Sequence, residues 1–275
     1  MTSSDADPRT FHDFEHAGWE RAAEHYGDAF GRLTVQTAPA LLDAVRAVRG
    51  MRLLDVASGP GFIAAAAAER GAAVTGLDFA AAMVAEARRR HPAITFREGD
   101  AEALPFDAGT FDAVVMNFGM LHLARPDQAI VEARRVLRPG GRYAFTVWAG
   151  PDRAVGFGMT LRAIEALGNA SVSLPEGPPF FRFSDAAATR LTLEQAGFTD
   201  VDVQELELTW RVASADDVFE ALSRGGVRTA AVLRAQTAEA LAAIGAAVRR
   251  GVESYAHAGE FEIPMPAVLA SATRG

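Results

Sequence analysis

The stretch Leu53-Leu54-Asp55-Val56-Ala57-Ser58-Gly59-Pro60-Gly61 constrains this chain more than any other. The run from Met51 to Val56 reads as a buried parallel strand, Gly59 and Gly61 bracket Pro60 in a tight turn, and Phe62 to Arg70 is an alanine-rich helix. Strand, glycine turn and helix start make a ligand-holding construction. The glycines admit close backbone approach, and the helix N-terminus offers unpaired N–H groups to an anion.

Two ligand classes fit this turn. Gly59-x-Gly61-x-x-Ala64 matches the loose dinucleotide fingerprint, and Asp78 ends the next strand 19 residues after Gly59, where a ribose-binding acid belongs. That reading gives NAD(P) or FAD. Alternatively, Asp55 four residues before Gly59 writes Asp-x-Ala-x-Gly-x-Gly, in which a carboxylate at the strand end can receive the ammonium of an amino-acid ligand.

Composition narrows the classes of function. A chain of 275 residues suits one large domain, with or without a cap. No cysteine is present, so disulfides, thiolate metal sites and a thiol nucleophile are excluded, and the chain reads as cytoplasmic. All basic residues are arginine, which excludes a lysine Schiff base. The net charge of −8 argues against a nucleic-acid footprint. No apolar run reaches membrane-span length, and Met1 to Arg9, polar and acidic, does not read as a signal peptide.

Residues 1–10 are expected to be a disordered tail. His12-Asp13-Phe14-Glu15-His16 matches an inverted zinc-protease pattern, although a solvated helix start is the plainer reading. Trp19 to Phe30 is predicted helical and stopped by Gly31; Thr34 to Val48 is a second helix ended by Gly50. Beyond the glycine turn the periodicity predicts strands at Ala73–Leu77, Ile94–Glu98, Thr110–Gly119 and Tyr143–Trp148, with helices at Ala80–Arg90 and Asp127–Leu137 between them. Further on come a helix from Ala154 to Leu167 and a loop rich in Pro and Phe. A helix capped by Ser184 and closed by Gly197 follows, then one strand from Val201 to Val212. Helices at Ser214–Ser223 and Arg228–His257 precede a last strand, Phe261–Ala270, bent by Pro264 and Pro266. Strands alternating with helices predict an α/β sheet, mostly parallel and covered on both faces.

Gly99-Asp100-Ala101-Glu102-x-Leu104-Pro105-Phe106, Phe111-Asp112-x-Val114 and Val136-Leu137-Arg138-Pro139-Gly140-Gly141-Arg142 join the glycine turn in a pattern that resembles the class I S-adenosylmethionine (SAM) methyltransferases. Within them the chain is similar to the ubiquinone/menaquinone-biosynthesis-like (UbiE-like) branch. Ala57 stands where the family usually has the first glycine. The resemblance covers roughly residues 15–150. It implies a doubly wound, seven-stranded Rossmann-like sheet of order 3-2-1-4-5-7-6 with the last strand antiparallel. It divides the chain into N-terminal helices over the cofactor (11–50), a SAM-binding core (51–150) and a remainder with a helical cap (151–275), all one domain.

The resemblance also assigns residues. Asp78 would accept the ribose hydroxyls; Asp100 and the Ala101 N–H would take the adenine, with Phe79, Met83, Gly99 and Glu102 beside them. Ala57, Ser58, Gly59 and Gly61 would form the turn around the amino-acid end, and the Asn117 carbonyl would meet its amino group above Phe118 and Gly119. Tyr26 and Arg32 would reach over from the N-terminal helices. His122, at the exit of strand 4, is the candidate base, ahead of His25. Phe118, Trp148, Phe157, Phe180 and Phe181 would line an apolar acceptor pocket. The activity implied is methyl transfer to a small molecule, whether aromatic, quinone-like or a secondary metabolite, by a monomer or homodimer. A SAM-binding protein with other chemistry, or an NAD(P)-dependent oxidoreductase, are the alternatives.

Overall fold

The computed structural model describes residues 8–275, with Pro8 and Arg9 given by their backbone only. The expected tail therefore lies outside the described residues up to position 7. Pro8 to Thr10 already belong to helix α1 (Pro8–Tyr26).

Gly31 does not stop the N-terminal helix. The chain runs on through a π-helical turn at Gly27–Gly31, α2 (Arg32–Thr34), a 3-10 turn at Val35–Thr37 and α3 (Ala38–Ala44). At Gly31 the requirement is space: a Cβ there would meet the Phe62 ring at 2.8 Å, while its backbone stays right-handed helical. The second helix ends at Ala44 rather than Val48, and Val48 is exposed.

The core alternates as expected: β1 (Arg52–Val56), α4 (Phe62–Glu69), β2 (Ala73–Asp78), α5 (Ala81–Arg90), β3 (Thr95–Glu98), β4 (Phe111–Asn117), a 3-10 turn at Met120–His122, α6 (Pro126–Val136) and β5 (Leu137–Trp148). Then come α7 (Val155–Leu167), α8 (Ala186–Gln195), β6 (Phe198–Leu206), β7 (Thr209–Val212), α9 (Asp217–Arg224), α10 (Arg228–Arg234), α11 (Ala238–Glu253), β8 (Ala256–His257), β9 (Glu260–Pro264) and β10 (Ala267–Arg274).

Seven strands form one sheet in the order β3-β2-β1-β4-β5-β10-β6. The pairs β1–β2, β1–β4, β2–β3 and β4–β5 are parallel, and β10 runs antiparallel between β5 and β6. Alternate residues of β1 serve opposite faces. Leu54 and Val56 pack with Val114, Met116 and Phe145 on one side, Leu53 with Leu41, Leu42, Ile63 and Val115 on the other. Both faces being covered, the strands read as unbroken apolar runs. The strand order reverses at β1 and β4, where open α/β sheets bind ligands.

The last third departs from expectation. The strand predicted at Val201–Val212 is two: β6 stays in the main sheet, and β7 joins β9 and β8 in a separate three-stranded sheet. Its partner segment switches sheets at Pro264-Met265-Pro266, so the expected bend is a crossing from β9 into β10. The helix predicted at Arg228–His257 restarts at Thr237, whose hydroxyl accepts from the Ala240 N–H at 3.2 Å. Asp185, not Ser184, caps α8 by accepting from the Ala188 N–H at 2.7 Å; the Ser184 hydroxyl turns back to the Phe181 carbonyl.

Candidate active site

The glycine turn is set by its backbone. Gly59 and Gly61 both take positive φ, +50° and +85°, and Gly61 starts α4 from the left-handed region. A Cβ at Gly59 would meet nothing within 4 Å, whereas one at Gly61 would strike Phe96 and His91. Gly59 thus faces open space and Gly61 faces the core. Two non-glycine residues also take positive φ here, Ala57 (+53°) and Phe118 (+56°), at the ends of β1 and β4. Such backbone is uncommon outside glycine and clusters at ligand sites.

A cavity of about 670 Å³, counted with the solvent space it opens to, lies at these strand ends. Ala57, Gly59, Asp78, Phe79 and Met83 form one wall. Gly99, Asp100, Ala101, Asn117, Phe118 and Gly119 form another, and His12, Trp19, Tyr26 and His122 cover it. A second cavity of about 500 Å³ adjoins it, lined by Phe30, Trp148, Phe157, Phe180 and Arg228 among others. Trp19, Tyr26, Phe118 and His122 line both.

Asp78 is 5% exposed and ties the turn together: its carboxylate accepts from the Gly59 N–H at 2.8 Å and the Ala80 N–H at 3.0 Å. Burial pushes it up to about 6, against the pull of those N–H bonds. Asp55 lies behind the turn and does not line the cavity. Neither of its oxygens closes a hydrogen bond, and the Ser58 hydroxyl beside it in sequence is buried and unpaired too. Burial lifts Asp55 to about 8, and the nearby Asp78 charge adds to the rise.

Asp100 Oδ1 accepts from the Glu102 N–H at 2.8 Å, and its Oδ2 lies 3.5 Å from His12 Nε2. The Glu102 carboxylate is placed otherwise than the resemblance suggests. It is buried outside the cavity and takes the Arg125 backbone N–H at 2.6 Å and guanidinium Nε at 2.8 Å, so it fixes the loop. Asn117 lines the cavity, but its side chain is occupied: Oδ1 accepts from the Thr37 and Thr146 hydroxyls, and Nδ2 donates to the Thr34 carbonyl. Those bonds fasten the N-terminal helices to the end of β4.

Of the aromatic set, Phe118 stacks on Trp148 with centroids 4.0 Å apart, and Phe157 packs against both Trp148 and Phe180. Phe181 lines neither cavity and backs Phe157 and Phe180. Arg32 and His25 are exposed and line neither cavity. The His-x-x-Glu-His residues diverge from one another. His12 turns to Asp100 and His16 to Glu20, while Glu15 is fully buried against His122 and Arg228. Among the described residues no acid and histidine group could hold a metal ion. Glu15, Trp19 and Arg228 are among the site residues that sequence reasoning missed. For Glu15 a signal existed, since it falls four residues after Phe11 and four before Trp19, on the apolar stripe of α1.

A family profile described as a methyltransferase domain matches residues 54–145. The demethylmenaquinone methyltransferase of Renibacterium salmoninarum is 41% identical over 139 residues, 49% of this chain and 59% of that protein. That of Beutenbergia cavernae is 36% identical over 177 residues, 61% of this chain and 73% of the relative. This chain belongs to the class I SAM-dependent methyltransferases, in their UbiE-like branch.

The methyltransferase fold extends to a Haemonchus contortus phosphoethanolamine N-methyltransferase solved with phosphomonomethylethanolamine and S-adenosylhomocysteine. The likeness there has a TM-score of 0.59 at 18% identity, over 96% of this chain and 60% of that one. SAM is the cofactor of the family, and the first cavity fits it. A buried acid and hydroxyl without partners, Asp55 and Ser58, lie under the turn. A second acid faces the cavity from β2, and its apolar walls include Leu77, Phe79 and Met83. The methyltransferase has no helix among the described residues long and apolar enough to cross a membrane.

Proposed function

We propose that the protein methylates a small, flat, hydroxylated aromatic acceptor, a quinol-like molecule among them, held in the second cavity with a hydroxyl at His122. The observation that carries this reading is the shared wall. The cofactor cavity and the aromatic cavity meet at Trp19, Tyr26, Phe118 and His122, so a transferable group in one reaches an acceptor in the other past these four side chains, of which His122 is the one with a proton-accepting nitrogen.

SAM, when bound, supplies an activated methyl group that leaves by in-line displacement. The chain's own residues bind, align and dry the site. Asp78 would hold the ribose, Asp100 and Ala101 the adenine, with Met83 and Phe79 beside its ring. The turn at Ala57–Gly59 and the Asn117 backbone carbonyl face the amino-acid end. Asp55 and Ser58 act from behind the turn. Holding both reactants in register contributes about 7–11 kcal/mol. Trp148, Phe157 and Phe180 clamp an aromatic ring, with Phe181 behind them, and α1 excludes water.

His122 takes the hydroxyl proton on its Nε2. Removal of that proton makes the oxygen, and the ring carbons conjugated with it, nucleophilic, so the cavity suits O- or C-methylation. The reduced, quinol form of demethylmenaquinone, the quinone named for the relatives, belongs to this class. A cytoplasmic enzyme of small metabolites is consistent with the cysteine-free, acidic chain.

The test is a screen of hydroxylated aromatics with methyl-labelled SAM, preceded by calorimetric titration with SAM, S-adenosylhomocysteine and NADH. Labelled product from phenolic acceptors, and none from matched methyl ethers, is expected. Tight adenosyl-ligand binding with no transfer to any hydroxylated aromatic would overturn the reading in favour of other SAM-dependent chemistry.

A further inference from the structure

Glu15 is fully buried, yet it lines neither cavity. Its Oε2 lies 2.9 Å from His122 Nδ1, and its Oε1 accepts from Arg228 Nε at 2.8 Å. Arg228 also donates to the Pro178 carbonyl at 2.9 Å and to the Leu121 carbonyl, one residue before His122, at 2.6 Å. Trp19 stands edge-on to the imidazole at 4.7 Å. Three distant segments, α1, the Pro178 loop and α10, thus converge on the segment that carries this ring.

We propose that Glu15 is the positioning residue that sets the His122 tautomer, and that Arg228 locks Glu15 in place from the cap. This rests on the reading of His122 as the base. A carboxylate paired with a guanidinium only accepts hydrogen bonds, so the proton between Glu15 and His122 belongs to Nδ1. The lone pair is then on Nε2, which makes no hydrogen bond among the described residues and belongs to the ring that lines both cavities. A histidine held in this way is ready to accept a proton from a hydroxyl. The other titratable or charged groups around the junction are Arg228 from α10, Tyr26 and His12 from α1, and Asp78 and Asp100 across the cofactor cavity.

Glu15→Gln carries a specific consequence. Arg228 takes the amide oxygen, so the amide NH2 faces Nδ1 and drives the proton to Nε2, the wrong nitrogen for a base. The experiment is ¹⁵N NMR of the histidine-labelled full chain with S-adenosylhomocysteine, His122 being assigned with a His122→Gln variant among only six histidines. Nδ1–H in the wild type and Nε2–H in Glu15→Gln are expected. With an acceptor, kcat of Glu15→Gln should fall by about 10²–10⁴-fold, the span of general-base catalysis, while KM and SAM affinity stay within about threefold. Should Glu15→Gln not fold, the charge-neutral Glu15→Gln/Arg228→Met pair should lose the Nδ1–H preference.

An Nε2–H wild type, a tautomer unmoved in the variants, or unchanged kcat would overturn the proposal. A loss spread over KM and SAM affinity, with the tautomer intact, would make Glu15–Arg228 a structural tie only. The NMR readout needs no acceptor, so it stands apart from any failure of the aromatic-acceptor reading.

Discussion

Apart from its α1 cover, the cofactor cavity takes its walls from consecutive strand ends between Ala57 and Leu123, each held by its own turn. The second cavity takes its walls from α1, the π turn, α2, the exit of β4, β5, α7, the Pro178 loop, α9 and α10. Arg228 in its wall and its ion-pair partner Glu15 behind that wall lie 213 positions apart. The first cavity relies on backbone and on acids fixed by neighbouring N–H groups. The second relies on side chains that meet only after the chain has closed. A local change away from the four shared residues should therefore strike one cavity and spare the other.

The largest effect should separate chemistry from binding. His122→Gln should lower kcat by about 10²–10⁴-fold and leave SAM affinity within a few-fold, read by steady-state kinetics and calorimetry. Equal losses in both would mean that the cavities are not independent. Next, Asp78→Ala removes the acceptor for the Gly59 and Ala80 N–H groups, and the acceptor proposed for the ribose. SAM affinity should fall by about 100-fold or more, by calorimetry, because charged hydrogen bonds contribute roughly 1.5–3 kcal/mol each.

On the acceptor side, Phe157→Leu should raise the acceptor KM by about tenfold with SAM binding unchanged, since it trims one aromatic wall; a matching loss of SAM affinity would break the division. The smallest effect is a pH dependence confined to the cofactor side. Asp55, at about 8, and Asp78, at about 6, hold protons in the folded state that the unfolded chain releases near pH 4. Stability of the ligand-free protein should therefore fall as pH rises from about 4 to 8. Glu86, Glu132 and Asp112, held low, lose their contribution only below that window. Thermal melts should show Tm falling by several degrees across it in the wild type, and a flatter profile in Asp55→Asn. A Tm that rises with pH over this range would contradict the burial of Asp55.

Much of this division was legible from residue order. Asp55, Gly59, Asp78 and Asp100 fall at the ends of strands that the periodicity located, and strand ends of a parallel sheet converge by construction. Glu102 shows the limit. It belongs to the same motif, but burial beside Arg125 makes it a loop tie, and nothing in the motif distinguishes an acid facing a ligand from one facing an arginine. The split of Val201–Val212 between two sheets was equally hidden, because β7 finds its partner, β9, about 50 residues later. Glu15 was read as part of a metal-like pattern on a helix start; only its place on the apolar stripe of α1 hinted at burial.

By itself the sequence determined the alternating strand–helix core and its ligand-holding glycine turn, while the strand order came with the resemblance to a family. Those follow from local periodicity, turn chemistry and motifs whose parts are near neighbours in the chain. The tertiary structure alone decided that α1 and α10 meet over His122, that Glu15 loses all contact with water, and that the second cavity opens against the first. These depend on the docking of segments with no sequence relation to one another. The physical reason is that burial and electrostatic pairing of a side chain are properties of what packs on it, and for Glu15 that is decided by residues at the other end of the chain.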